Sequence, residues 1–114
     1  LKIIIMPNTR RNESIEARVA DLHAAFGDPN IRAIFSVIGG FNCNEILPYL
    51  DYQHIRQNPK IFCGYSDITA LSHAITSQTG LITYSGPHFS TMAMDKDETR
   101  AAVERLLFSR DHSY

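Results

Sequence analysis

No tryptophan occurs among the 114 residues, only two are cysteine, and neither sign of charge is in excess. Cys43 and Cys63 cannot build a disulfide framework and lack metal-ligand spacing. Free, reduced thiols in a cytoplasmic protein are therefore expected. Eleven Lys+Arg stand against 12 Asp+Glu, a formal net charge of -1. That balance gives no electrostatic ground for binding DNA, RNA or an acidic membrane. Long apolar runs are missing too. Ile3 to Met6 and Ala33 to Ile38 (interrupted by Ser36) fall far short of the roughly 20 residues a bilayer span requires. No signal-peptide pattern follows Lys2. What remains, 44% hydrophobic and 20% charged residues, suits one compact globular domain.

Apolar runs alternate with amphipathic stretches. Leu1 to Met6 reads as a buried strand ended by Pro7-Asn8-Thr9. From Ser14 the period changes: Ile15, Val19, Leu22 and Phe26 share a helical stripe, with Gly27 suited to a left-handed close and Asp28-Pro29 starting a turn. Ala33 to Ile38 is a second strand. Short helical pieces follow over Glu45 to Leu50 and Tyr52 to Asn58, the latter capped by Asp51. Lys60 to Cys63 is a third strand. Asp67 to Thr79 is a helix with Ile68, Leu71 and Ile75 inward and Gly80 at its end. Leu81 to Tyr84 is a fourth strand, and Lys96 to Phe108 a last helix with Val103, Leu106 and Leu107 inward. Repeated strand–helix alternation predicts right-handed crossovers and a parallel sheet covered on both faces. The expected class is α/β, a doubly wound parallel sheet. Four strands are few for it, so a further βα unit is expected before Leu1.

In an open parallel sheet, ligands bind beyond the carboxyl ends of the strands. Three unusual loops fall there: Gly39-Gly40-Phe41-Asn42, Gly64-Tyr65-Ser66-Asp67 and Ser85-Gly86-Pro87-His88. A sharp strand-to-helix turn lifts its middle side chain above the sheet, at a helix N-terminus where amides point outward. Ser66 there could attack a carbonyl, with the Asp67 N–H facing the developing oxyanion; equally, Ser66 or Asp67 could simply cap the helix. The elbow pattern is partial, since Ile68 stands where glycine is common. Gly39-Gly40 lets main chain approach a ligand closely and could supply a second oxyanion donor, or form a tight turn or phosphate loop. Asn42 to Glu45 resembles a capping box. Phe41 and Asn42 are either site-lining or turn residues, and Tyr65 reads as an ordinary core or rim aromatic rather than a substrate contact.

A general base is harder to find. His23 and His54 read as surface residues, and His112 sits in a polar tail. His73 follows Ser66 by seven residues, about 10 Å along one helix. His88 is the only local candidate. No His/Asp/Glu/Cys cluster has metal spacing, so no metal is expected.

Four ordered stretches carry a specific resemblance. They are Ile38-Gly39-Gly40-Phe41-Asn42; Leu47-Pro48-Tyr49-Leu50-Asp51-Tyr52; Asn58-Pro59-Lys60-Ile61-Phe62-Cys63-Gly64-Tyr65-Ser66-Asp67-Ile68-Thr69-Ala70-Leu71; and Gly80-Leu81-Ile82-Thr83-Tyr84-Ser85-Gly86-Pro87. Over roughly Ser14 to Met94 the chain resembles the murein LD-carboxypeptidase family of serine peptidases, and more closely its microcin-immunity branch, which Arg18-Val19, Asp21-Leu22-His23 and Ile38 also fit. Many carboxypeptidases of the family carry Arg in place of Ile38.

The resemblance implies a flavodoxin-like fold and a cytoplasmic hydrolase without metal or organic cofactor, cutting an amide next to a free carboxyl end. The substrate would be a murein tetrapeptide or a peptidyl- or aminoacyl-nucleotide. Ser66 matches the nucleophile; the amides of Gly40 and Asp67 match the oxyanion hole; Gly39, Phe41 and Asn42 are candidate substrate contacts. The implied triad is Ser–His–Glu, its His and Glu on a C-terminal domain that no segment here matches. Residues 1–114 would then be part of an N-terminal α/β nucleophile domain, inactive alone and a homodimer at full length. The rival readings are a non-catalytic module holding a small anionic ligand at the same rim, a hydrolase using Ser66 and His88, and a pseudoenzyme.

Overall fold

The computed structural model describes residues 2–9, 13–94 and 97–109; Leu1, Lys96 and His112, named above, lie outside them. Helix α1 (Ile15–Gly27) leads into strand β1 (Ala33–Phe35). A 3-10 helix (Cys43–Tyr49) and α2 (Tyr52–Gln57) connect β1 to β2 (Ile61–Gly64), and α3 (Ile68–Thr79) connects β2 to β3 (Tyr84–Ser85). Helices α4 (Phe89–Met94) and α5 (Asp97–Val103) and a π-helical turn (Glu104–Phe108) follow. The sheet is parallel throughout, in the order β1-β2-β3, with Phe35 opposite Cys63 and Cys63 opposite Tyr84. The fold is α/β.

Side chains alternate across a strand, and the two faces of this sheet meet different partners. Ile34 and Phe62 face the helical layer, where wholly buried Phe26, Ile55 and Ile75 gather Ile46, Leu50 and Leu71 into one core. Phe26 stacks on Phe62 at 6.3 Å between ring centres. One residue on, Phe35 turns to the opposite face and meets Phe108 at 6.3 Å. The expected cover on both faces is thus present at β1.

Local chemistry explains the helix limits. Ser14 caps α1 by accepting from the Ala17 N–H at 3.2 Å, and Asp51 caps α2 by accepting from His54 N–H at 2.9 Å. Gly80 closes α3 at φ 79°, a left-handed conformation that costs glycine little. Gly27 does not play that part: α1 gives way to Asp28 at φ -76°. Its missing side chain instead makes room for the His54 ring, which a Cβ would meet at 3.1 Å.

Several expected elements differ. The 2–6 segment is not a strand, and Ile3, Ile4 and Ile5 are exposed. An apolar run becomes a buried strand only where a neighbour takes up its backbone groups, and among the described residues β1 pairs with β2 alone. Strand β1 stops three residues short of Ile38, because the carbonyls of Ser36 and Val37 accept from Phe89 N–H (2.8 Å) and Ser90 N–H (3.1 Å) at the start of α4. The expected strand from Leu81 shrinks to Tyr84–Ser85, since Leu81 packs on the helical core while Ile82 points to solvent. Sequence periodicity did not reveal α4. In the last helical stretch Val103 is buried as expected, but Leu106 is 44% exposed.

Candidate active site at the strand C-terminal rim

Ser66 lies between the end of β2 and the start of α3, exposed, with φ 60°. It is the one described non-glycine residue with positive φ. A side chain in that region costs on the order of 1–3 kcal/mol and persists only where surroundings enforce it. The enforcing contacts begin at Gly64, where a Cβ would come within 2.4 Å of Ser36 Oγ and 2.8 Å of Ile68 Cγ2. The strand must therefore end on glycine for β1 and α3 to close around it. A tight turn follows, with Ser66 C=O accepting from Thr69 N–H at 3.0 Å.

The glycine pair is brought to the same place. A Cβ on Gly39 would stand 3.2 Å from both Cβ and Oγ of Ser66, and 3.5 Å from His88 Nε2. A Cβ on Gly40 would stand 3.2 Å from Asp67 Oδ2. Bare main chain is what lets these loops meet. Asp67 Oδ2 accepts from Cys43 N–H at 2.9 Å, tying the start of α3 to the start of the 3-10 helix. It makes no side-chain cap on α3, so capping does not account for that residue. Phe41 is 85% exposed at the rim, beside half-buried Asn42.

Asn42 and Glu45 do not form a capping box: the Asn42 side chain does not cap the 3-10 helix. Glu45 instead pairs with Arg18 at 2.7 Å, while Arg18 Nη1 donates to the Asn42 carbonyl at 3.2 Å. Arg18 thus pins the rim loop to α1. Spacing alone could not reveal this, because the partners are 24 and 27 residues apart.

His88 is 3% exposed, and burial lowers the pKa of its imidazole. Its Nδ1 lies 2.5 Å from Ser36 Oγ, and Tyr65 stacks on the ring at 4.1 Å. No hydrogen bond joins it to Ser66. Tyr65 is thus a rim aromatic whose ring packs on His88. His73 is exposed on α3. His23 and His54 are half-buried rather than surface residues: Asp51 N–H donates to His23 Nε2 at 2.9 Å, and His54 Nε2 lies 3.0 Å from the His23 carbonyl. Both cysteines are free and buried, and desolvation pushes each thiol up to about 11, so neither is a reactive nucleophile. Among the described residues no three His, Cys, Asp or Glu side chains gather to hold a metal. None of the described helices is long and apolar enough to cross a membrane.

This arrangement has relatives. Residues 1–86 match the LD-carboxypeptidase N-terminal domain. YocD of Bacillus subtilis (strain 168) is 65% identical over 85 residues, covering 75% of this chain and 26% of its own length. The microcin C7 self-immunity protein MccF of Escherichia coli is 48% identical over 77 residues, 68% of this chain and 22% of its own. Among solved structures, the MccF-like protein of Bacillus anthracis is 57% identical with TM-score 0.78, over 82% of this chain and 29% of that one. Apo MccF superposes with TM-score 0.90 at 36% identity, over 98% of this chain and 36% of that one. MccF has also been solved in complex with glutamyl sulfamoyl guanosine and with aspartyl sulfamoyl adenosine. The chain therefore spans about a quarter to a third of the length of the relatives it matches. With three quarters of its residues inside the family's N-terminal-domain match and its backbone superposing on MccF, the chain belongs to the LD-carboxypeptidase family.

Proposed function

We propose that this chain is the nucleophile-bearing part of a serine carboxypeptidase that cleaves an amide next to a free carboxyl end. The observation that carries the reading is the exposed Ser66 hydroxyl on a left-handed bend, with Gly39 main chain against it and α3 starting behind it. A strained strand-to-helix turn of this kind presents a hydroxyl to substrate and leaves adjacent amides for a tetrahedral oxyanion.

In the proposed reaction Ser66 Oγ attacks the scissile carbonyl and gives its proton to a histidine supplied, with a glutamate, by a C-terminal domain. The amides of Gly40 and Asp67 hold the oxyanion; losing one such donor typically costs about 2.7–4 kcal/mol of transition-state stabilisation. The C–N bond then breaks, the leaving amine takes the proton, and water hydrolyses the ester on Ser66. Gly39, Phe41 and Asn42 line the substrate cleft. Ile38 in front of the glycine pair and the nucleotide conjugates held by MccF favour a peptidyl- or aminoacyl-nucleotide over a murein tetrapeptide. The protein works in the cytoplasm as a homodimer. Without the triad partners, residues 1–114 alone do not turn over.

The test is hydrolysis of an aminoacyl sulfamoyl adenosine and of an L,D-linked peptide by the full-length protein. Ser66→Ala should abolish release of the amino acid while binding persists. Binding without hydrolysis in the unmutated protein would instead support an anion-binding module.

A further inference from the structure

We infer that His88 is a positioning residue: its buried imidazole clamps Tyr65 and thereby holds the left-handed bend at Ser66. The effect on turnover rests on the hydrolase reading above; the effect on the bend does not.

His88 sits where three elements converge. Its neighbour Phe89 donates to the Ser36 carbonyl at 2.8 Å, and its own carbonyl accepts from Met92 N–H at 3.0 Å, so its backbone is fixed to β1 and α4 together. The ring bonds through Nδ1 to Ser36 Oγ at 2.5 Å, and Ser36 Oγ in turn packs against Gly64, the last residue of β2. One ring face is covered by Tyr65, 4.1 Å away with the planes 24° apart. Tyr65 is the residue between Gly64 and Ser66. With Gly64 wedged between Ser36 and Ile68, and the Tyr65 ring held on His88, the chain enters Ser66 from a fixed direction.

His88 Nδ1 is taken by Ser36 Oγ, no hydrogen bond links the ring to Ser66, and Gly39 main chain approaches both. The ring is invested in Ser36 and Tyr65. A neutral, desolvated imidazole suits that work, because a charge on a ring that is itself buried would be costly.

The test uses the full-length protein and two readouts. In urea unfolding, Ser66→Gly relieves the backbone strain, and it should stabilise more with His88 present than in the His88→Ala background. The expected non-additivity is at least fivefold in the unfolding constant; additivity within twofold overturns the inference. In turnover of an aminoacyl sulfamoyl adenosine, His88→Ala should lower kcat at least tenfold with KM within threefold. His88→Phe combined with Ser36→Ala, which keeps the stack without the hydrogen bond, should recover at least a third of the wild-type kcat. An unchanged kcat in His88→Ala overturns the inference. So does a His88→Phe/Ser36→Ala protein that folds but is as inert as Ser66→Ala, since that result makes His88 the base. Should Ser66→Ala itself retain turnover, the hydrolase reading fails, and the unfolding cycle still decides the role of His88.

Discussion

At the scale of single residues, the site depends on side chains that are missing as much as on those present. Gly39 allows main chain to lie against Ser66, and a methyl there would press on the hydroxyl at 3.2 Å. Gly39→Ala in the full-length enzyme is therefore expected to lower kcat about tenfold or more through misplacement of the hydroxyl, with little change in the urea midpoint because the contact is at the surface. The histidines carry a second prediction. Burial holds His88 and His23 below the ordinary imidazole value of 6.5, and His54 adds to the effect on His23. Both bind a proton more readily when unfolded, so their contribution is complete above about pH 6.5 and is lost as pH falls below it. Thermal melting should drop between pH 7.5 and pH 5.5, and a combined His23→Gln and His88→Phe protein should show a shallower drop. That Ser66 and the glycine pair meet at one rim was legible in the sequence, because both follow strand-like runs. Arg18 and Ser36 were not, since their partners come from distant segments.

Elements that carry their own punctuation were the legible ones. The stripe of Ile15, Val19, Leu22 and Phe26 begins after a capping serine, and α3 ends on Gly80. Gly80 offers a clean test: a Cβ there meets nothing within 4 Å, so Gly80→Ala costs only backbone conformation at φ 79°. About 1–2 kcal/mol should be lost in urea unfolding, with no effect on turnover. Strand limits were less legible. Ile3 to Met6 has the composition of a buried strand, yet pairing is decided by a neighbour and not by the run itself. Ala33 to Ile38 loses its last three residues when the Ser36 and Val37 carbonyls turn to the start of α4. Gly27 and Gly80 look alike in sequence; a close approach by His54 explains one and a left-handed cap the other.

Across the whole molecule, a parallel sheet collects loops from separate crossovers at one rim, which is why residues 39, 66 and 88 meet despite their spacing. That convergence was legible from strand–helix alternation. The sheet order and the segment covering each face were not, because they depend on contacts between distant parts of the chain. The matched relatives are about three times as long as this chain, and the proposed mechanism draws its base from that additional length. The central claim still concerns one atom, the Ser66 hydroxyl oxygen. Treating the full-length protein with a fluorophosphonate and mapping the adduct by peptide mass spectrometry tests it most directly. The account predicts a single modified residue, Ser66, with labelling lost in Ser66→Ala; an unlabelled protein, or an adduct on any other side chain, would contradict it.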